Sequence, residues 1–167
     1  MQARSPIHEL LRDAHVAHAV VPHHAAVTAQ DETADTHTVR NWAKVVTYFV
    51  DDEPVEAVLP TPMTVNLDRL LGLARGRDIR PARTEELRRL FSESEPQRTA
   101  SDSRYRPSVI VDVALAAEDE ILFDGNVPQE AIRIRWADFA ASVRPIVGKF
   151  AEPHVDRVGG FRLSYRE

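Results

Sequence analysis

Apolar positions along this chain follow two periods, one helical and one extended. Behind Ser5 and Pro6, a suitable N-cap and first-turn pair, Ile7, Leu10, Leu11 and Ala14 share one face and predict a helix over residues 6–15. Ala17–Val21 reads as a short strand ended by Pro22, and Thr28-Ala29-Gln30-Asp31-Glu32 opens a predicted helix that runs to about His37. Residues 43–50, Ala-Lys-Val-Val-Thr-Tyr-Phe-Val, have the β-branched and aromatic enrichment of a central strand. A polar turn, Asp51-Asp52-Glu53-Pro54, leads from them into Val55–Leu59, and the two segments predict a hairpin. Asn66 is placed to cap a helix with Leu67, Leu70, Leu71 and Ala74 on one face and Gly76 just past its end. A short strand begins at Ile79, and Thr84-Glu85-Glu86 opens a helix through Leu87, Leu90 and Phe91 with its acids at the favourable end of the dipole.

From Ser92 to Pro107 no apolar period exists, and the segment reads as a long loop of the kind that is usually functional or disordered. Strands follow at Val109–Val113, Glu120–Phe123 and Ala131–Arg135, with a turn at Asp124-Gly125-Asn126, and a helix is predicted from Ala137 to about Val147. Residues 1–152 are expected to form one domain and residues 153–167 a tail marked only by Gly159-Gly160. Helices interleave with strands, yet strands also follow one another at both ends of the chain. That order predicts an α/β fold of mixed α+β type, with a mixed sheet and not a doubly wound parallel one.

Length and composition narrow the chemistry. A chain of 167 residues buries roughly two thirds of its unfolded surface and needs no covalent staple. The absence of cysteine excludes disulfides, thiolate nucleophiles and cysteine-ligated metals. A net charge of −5 and a pI near 5.8 argue against nucleic-acid binding through a broad basic face, so DNA is not an expected partner, whereas a nucleic-acid end held in a small pocket stays compatible. No apolar run approaches a membrane span and the amino terminus has no signal-like apolar region, which points to a cytoplasmic protein with no membrane partner.

Lys44 is the most informative candidate. It stands at the start of a strongly apolar strand, where an ammonium is costly to desolvate unless it lines a pocket or meets an anion. An edge lysine with its stem on the sheet and its head in water is the plain alternative. In a pocket, such a lysine binds a phosphate or stabilises an oxyanion. The histidines at 15, 18, 23 and 24 lie close in sequence, but His15 and His18 straddle a helix-to-strand boundary and lack a metal-binding partner motif, so no metal is expected. Trp42 and Trp136 read as core or pocket-wall residues. No nucleophile elbow, Walker motif or dinucleotide glycine pattern is present.

Taken in order, several segments resemble the YbaK/ProX family of aminoacyl-tRNA deacylases, which includes freestanding editing proteins and the editing insertion of bacterial prolyl-tRNA synthetases. They are the opening Ile7-His8-Glu9-Leu10-Leu11, the stretch from Pro22 to Asp31, Ala43-Lys44-Val45-Val46, Ala57-Val58-Leu59-Pro60, Asn66-Leu67-Asp68-Arg69-Leu70, Val111-Asp112, and Ala131 to Phe139. The resemblance runs from about Ile7 to Ala151. It implies a single domain with a partly barrel-like mixed sheet surrounded by helices. The implied activity is hydrolysis of the ester joining a small wrong amino acid to tRNA, with no cofactor. Lys44 then matches the family's central functional residue, and His23, Thr28, Gly125 and Glu130 fall in the substrate pocket. The implied partners are the acceptor end of an aminoacylated tRNA and an aminoacyl-tRNA synthetase.

Two segments depart from the family pattern. A glycine- and proline-rich loop is replaced after Glu95-Pro96 by Gln97-Arg98-Thr99-Ala100-Ser101-Asp102-Ser103, which puts side chains where bare backbone would lie. Asp124-Gly125-Asn126-Val127-Pro128 stands where relatives carry a histidine. A catalytically degenerate relative that binds a nucleotide- or amino-acid-like ligand, or a protein partner, is therefore the second expectation.

Overall fold

The structure is a computed structural model that describes residues 11, 17–22, 41–91, 108–124 and 130–154. Its strands are β1 (Ala19–Pro22), β2 (Ala43–Val50), β3 (Glu53–Pro60), β4 (Met63–Val65), β5 (Ile79–Pro81), β6 (Ser108–Asp112), β7 (Glu120–Asp124), β8 (Glu130–Arg135), β9 (Ile146–Gly148) and β10 (Ala151–Pro153). The helices are α1 (Leu67–Ala74), α2 (Thr84–Phe91), α3 (Val113–Ala116) and α4 (Trp136–Val143). Leu11 is helical and buried. The rest of the opening helix, the helix expected to about His37, the 92–107 loop, most of the 124–126 turn and residues 155–167 lie outside the described residues.

The sheet grows from the expected hairpin. β2 and β3 pair in register from Ala43 opposite Pro60 to Val50 opposite Glu53. Only two residues turn the chain: Asp51 and Asp52 both take positive φ, 49° and 66°, the signature of a type I′ turn whose twist suits a hairpin. Aspartate tolerates that conformation, so Glu53 and Pro54, expected in the turn, belong to β3. The Asp51 carboxylate also accepts hydrogen bonds from the backbone of Arg77 and Asp78, tying the turn to the chain after α1.

Five strands then assemble in the order β5-β2-β3-β6-β9, antiparallel through the hairpin and parallel from β3 to β6 to β9. An antiparallel sheet β1-β8-β7 lies alongside it, and β10 pairs with β4. The two larger sheets join at one corner, where Trp42 bridges Leu122 and the Leu122 N–H donates to the Asn41 carbonyl at 2.9 Å. The expected mixed α/β architecture is the one observed.

Both faces of the hairpin are covered. On one, Ala43, Val58, Val109 and Val111 pack with Ile121, Phe123, Ile132 and Ile134 of the smaller sheet and with Phe139 of α4. On the other, Tyr48, Ala57, Leu59 and Ile110 pack against Leu70 of α1, Phe150 and Ala151. Burial on both sides explains why Val55–Leu59 reads as a nearly continuous apolar run without alternation.

Local chemistry sets several boundaries differently from the sequence pattern. The expected strand to Val113 stops at Asp112, because the Asp112 side chain caps α3 by accepting from Ala114 N at 3.0 Å. The helix expected to about Val147 ends at Val143. Arg144 takes a left-handed φ of 53°, Pro145 cannot continue the ladder, and Ile146–Gly148 pair with β6 instead. Asn66 caps α1 as expected, but Arg75, not Gly76, takes the left-handed position at its end. Gly76 is required for space, since a Cβ there would collide with Val50 Cγ1.

Asp112 is the main polar fastening of this core. Its second carboxyl oxygen accepts from the backbone of Phe150 and Ala151 at 3.0 and 2.8 Å, so one buried side chain ends β6, caps α3 and fixes the approach to β10. Asparagine offers one acceptor oxygen and cannot serve both ends. Asp112→Asn is therefore expected to lower folding stability by about 2–3 kcal/mol in urea unfolding, and a loss below about 0.5 kcal/mol would contradict this role.

Candidate functional site

Strand alternation sets the site. Lys44, Val46 and Tyr48 are two residues apart on β2 and so project to the same face, the one that meets α1 and the β4–β10 pair. They line a cleft of about 310 Å³ together with Thr64 and Val65 of β4, Leu67 of α1 and Pro81 of β5. Its shape depends on Asn66. The Asn66 carboxamide oxygen caps α1 through Arg69 N at 3.1 Å, its amide nitrogen donates to Glu152 Oε2 at 3.0 Å, and its backbone N–H donates to the Phe150 carbonyl at 2.8 Å. β4, α1 and β10 are thereby held in one arrangement over β2.

The lining combines one ammonium, two hydroxyls and an apolar wall. Lys44 is half-buried and stands opposite Leu59, and no acidic side chain among the described residues pairs with it. Tyr48 is 9 % exposed, and burial pushes its phenol up from the ordinary value, which keeps it a hydrogen-bond donor at neutral pH. The Thr64 hydroxyl donates to the Glu152 carbonyl at 3.4 Å. Neither carboxylate nor imidazole lines the cleft among the described residues. Such a surface can hold an anionic or carbonyl oxygen at Lys44 while an apolar group lies on Val46, Val65, Leu67 and Pro81.

Of the other residues singled out in the sequence, Glu130 begins β8, pairs with Pro22 and is exposed; it does not line the Lys44 cleft. His23, Thr28 and Gly125 lie outside the described residues. Trp42 is buried against Leu122 and Ala131, with Nε1 donating to Asp124 Oδ1 at 3.3 Å, and Trp136 packs on Phe139 at 5.9 Å; both are wall or core residues as expected. Among the described residues no group of His, Asp and Glu stands close enough to hold a metal, and no helix is long and apolar enough to cross a membrane. A second, larger cleft of about 430 Å³ lies at Asn41, Glu118, Asp119, Glu120 and Arg135. It includes none of the residues singled out as a site.

Tyr48 and Thr64 were not picked out from the sequence. For Tyr48 a signal was available in its spacing from Lys44. For Thr64 none was, because β4 is three residues long and acquires its place only by pairing with β10, far along the chain.

No family model matches the sequence, and no curated protein matches it at a significant level. Solved structures do resemble the fold. The hypothetical protein APE2540 superposes with a TM-score of 0.60 at 14% identity, over 87% of this chain and 99% of that one. A protein provisionally assigned as a trans-editing enzyme for prolyl tRNA synthetase gives 0.59 at 16%, over 87% and 94%. A provisionally assigned signal transduction protein from Marinobacter aquaeolei VT8 gives 0.60 at 15%, over 87% of this chain but 30% of that one. At these identities the likeness is one of fold: this chain has a mixed α/β domain of the kind found in the provisionally assigned trans-editing enzyme and in proteins described in other terms.

Proposed function

We propose that this protein is a trans-editing aminoacyl-tRNA deacylase, which hydrolyses the ester between a small mischarged amino acid and the terminal ribose of tRNA, with Lys44 as the residue that holds the reacting end. The observation that carries this reading is that Lys44 lines a concave cleft with two hydroxyl-bearing side chains and an apolar wall, and not a flat edge. The ordered sequence resemblance from Ile7 to Ala151 and the shared fold support it.

The reaction asks little of the protein. An aminoacyl ester is already activated, so orientation and charge stabilisation supply much of the rate. Water attacks the ester carbonyl carbon, the carbonyl oxygen becomes an oxyanion, the bond to the ribose oxygen breaks, and that oxygen takes the proton given up by the water. The Lys44 ammonium, which no acid among the described residues pairs with, can hold the oxyanion or a neighbouring phosphate. Tyr48 donates a hydrogen bond further along the cleft, and its apolar wall suits a small side chain.

Over a panel of misacylated tRNAs, Lys44→Ala is expected to lower kcat/KM on the preferred substrate by about 10²-fold or more. Absence of Lys44-dependent turnover on every substrate would defeat the proposal. Tyr48→Phe, which deletes one donor and keeps the ring, is expected to lower kcat/KM by about 3- to 10-fold with folding stability little changed. An unaltered kcat/KM would remove Tyr48 from the site.

A non-catalytic relative, binding a nucleotide- or amino-acid-like ligand or a protein partner without turnover, is favoured by one observation: Gln97–Ser103 lacks the glycines and prolines of the editing family's loop. Thermal stabilisation by aminoacyl-nucleoside analogues without hydrolysis would select it.

A further inference from the structure

The centre of the five-stranded sheet holds an ionisable group that the Lys44 cleft does not use. Glu56 lies in the middle of β3 with 2 % of its surface exposed, and strand alternation points it to the opposite face from Lys44, into the layer shared with the smaller sheet. Directly across the hairpin the buried Thr47 donates its hydroxyl to Glu56 Oε2 at 2.9 Å. The other oxygen, Oε1, is buried with no hydrogen-bond partner among the described residues.

The surroundings give the carboxyl little help. Its neighbour on β6 is Val109, and along its own strand the same face carries Pro54 and Val58. β2 adds Val45 and Phe49 beside Thr47, and the smaller sheet contributes Ile121, Phe123, Ile132 and Ile134 to this layer. None of these side chains titrates. Among the described residues, the charged groups on this face stand at the β5 side, where Arg80 lies over the Phe49 ring at 4.7 Å and is bound through both terminal nitrogens to Glu86 of α2.

We propose that Glu56 and Thr47 form a proton-dependent latch in the central hairpin, closed while the carboxyl is protonated and loosened when it ionises, so that the protonation state of Glu56 sets how firmly β2 holds the Lys44 cleft. Protonated, Glu56 is a neutral group with part of its hydrogen-bonding capacity unused; ionised, it is a charge in an apolar layer held by one hydroxyl, which costs considerably more. Burial pushes the carboxyl up to about 7, against a smaller downward pull from the Thr47 hydrogen bond. Ionisation is relieved by admitting water or by parting β2 from β3. Thr47 sits between Val46 and Tyr48, both of which line the cleft on the other face, so strain at the latch reaches the cleft through two adjacent backbone positions. The latch is independent of which ligand the cleft takes.

The folded state holds its proton more tightly than the unfolded chain, so the stabilisation is fully present below the ordinary carboxylate range, is lost as pH rises to about 7, and changes no further above that.

A direct test is a carbon-13 titration of the Glu56 side-chain carboxyl in the full chain. It is paired with urea unfolding between about pH 5 and about pH 8 for the wild type, Glu56→Gln and Thr47→Val. The Glu56 resonance is expected to titrate near neutrality, and the wild-type unfolding constant to rise by up to about 10-fold per pH unit below that midpoint. Glu56→Gln, of the same shape and unable to ionise, is expected to lack that rise; histidines contribute equally to both proteins, so the difference isolates Glu56. Thr47→Val is expected to move the midpoint to higher pH. A Glu56 carboxyl titrating near the ordinary value of about 4.3, or equal pH dependence in the wild type and Glu56→Gln, would overturn the latch, and the wild-type titration decides alone should the variant not fold.

Discussion

Everything in this fold follows from the need to cover the β2–β3 hairpin on both sides. Val55 to Leu59 leaves no polar face for water, and its strand is flanked by β2 and β6 and sealed above and below. The smaller sheet with α3 and α4 closes one face, and α1 with β4, β10 and Phe150 closes the other. Covering the second face with short elements, instead of one broad layer, leaves the gap into which Lys44 projects. The cleft is thus a by-product of how a doubly buried hairpin is roofed, and its walls are the roofing elements themselves.

The same constraint gives two ionisable residues of the hairpin opposite situations. Lys44 and Glu56 are on paired strands, yet alternation sends them to different faces, so they neither meet nor neutralise one another. Lys44 reaches a cleft where an anion can approach. Glu56 is closed into an apolar layer where, among the described residues, Thr47 alone answers it. Two fastenings hold the arrangement at its edges: Asp112 joins β6, α3 and the approach to β10, and Asn66 joins α1 to β10. Each uses one side chain to satisfy groups that are far apart in sequence, which is why the roof is specific despite its short strands.

What was legible in the sequence divides along the same line. Strand β2, the cap at Asn66 and the helices opening at Leu67 and Thr84 rest on local patterns and stand where those patterns put them. The short strands β4, β9 and β10 were not foreseen, because three residues carry no period and their identity comes from distant partners. Likewise the left-handed turns at Arg75 and Arg144 fall on residues with no special preference for them, imposed by packing around Gly76 and by Pro145. Lys44 could be singled out because an ammonium beside an apolar strand is anomalous on its face. Glu56 was equally anomalous, an acid inside the apolar run from Val55 to Leu59, but its significance depended on Thr47 standing opposite, which only the hairpin register reveals.

The Lys44 cleft is proposed to bind a ligand with an acylated ribose. The most direct test is amide chemical-shift mapping of the labelled chain during titration with a non-hydrolysable, amide-linked aminoacyl-adenosine. Saturable shifts concentrated at Lys44, Val46, Tyr48, Thr64, Val65 and Leu67 are expected. Shifts confined to the Asn41–Arg135 cleft, or none at any concentration, would contradict the assignment and leave the fold without the site attributed to it.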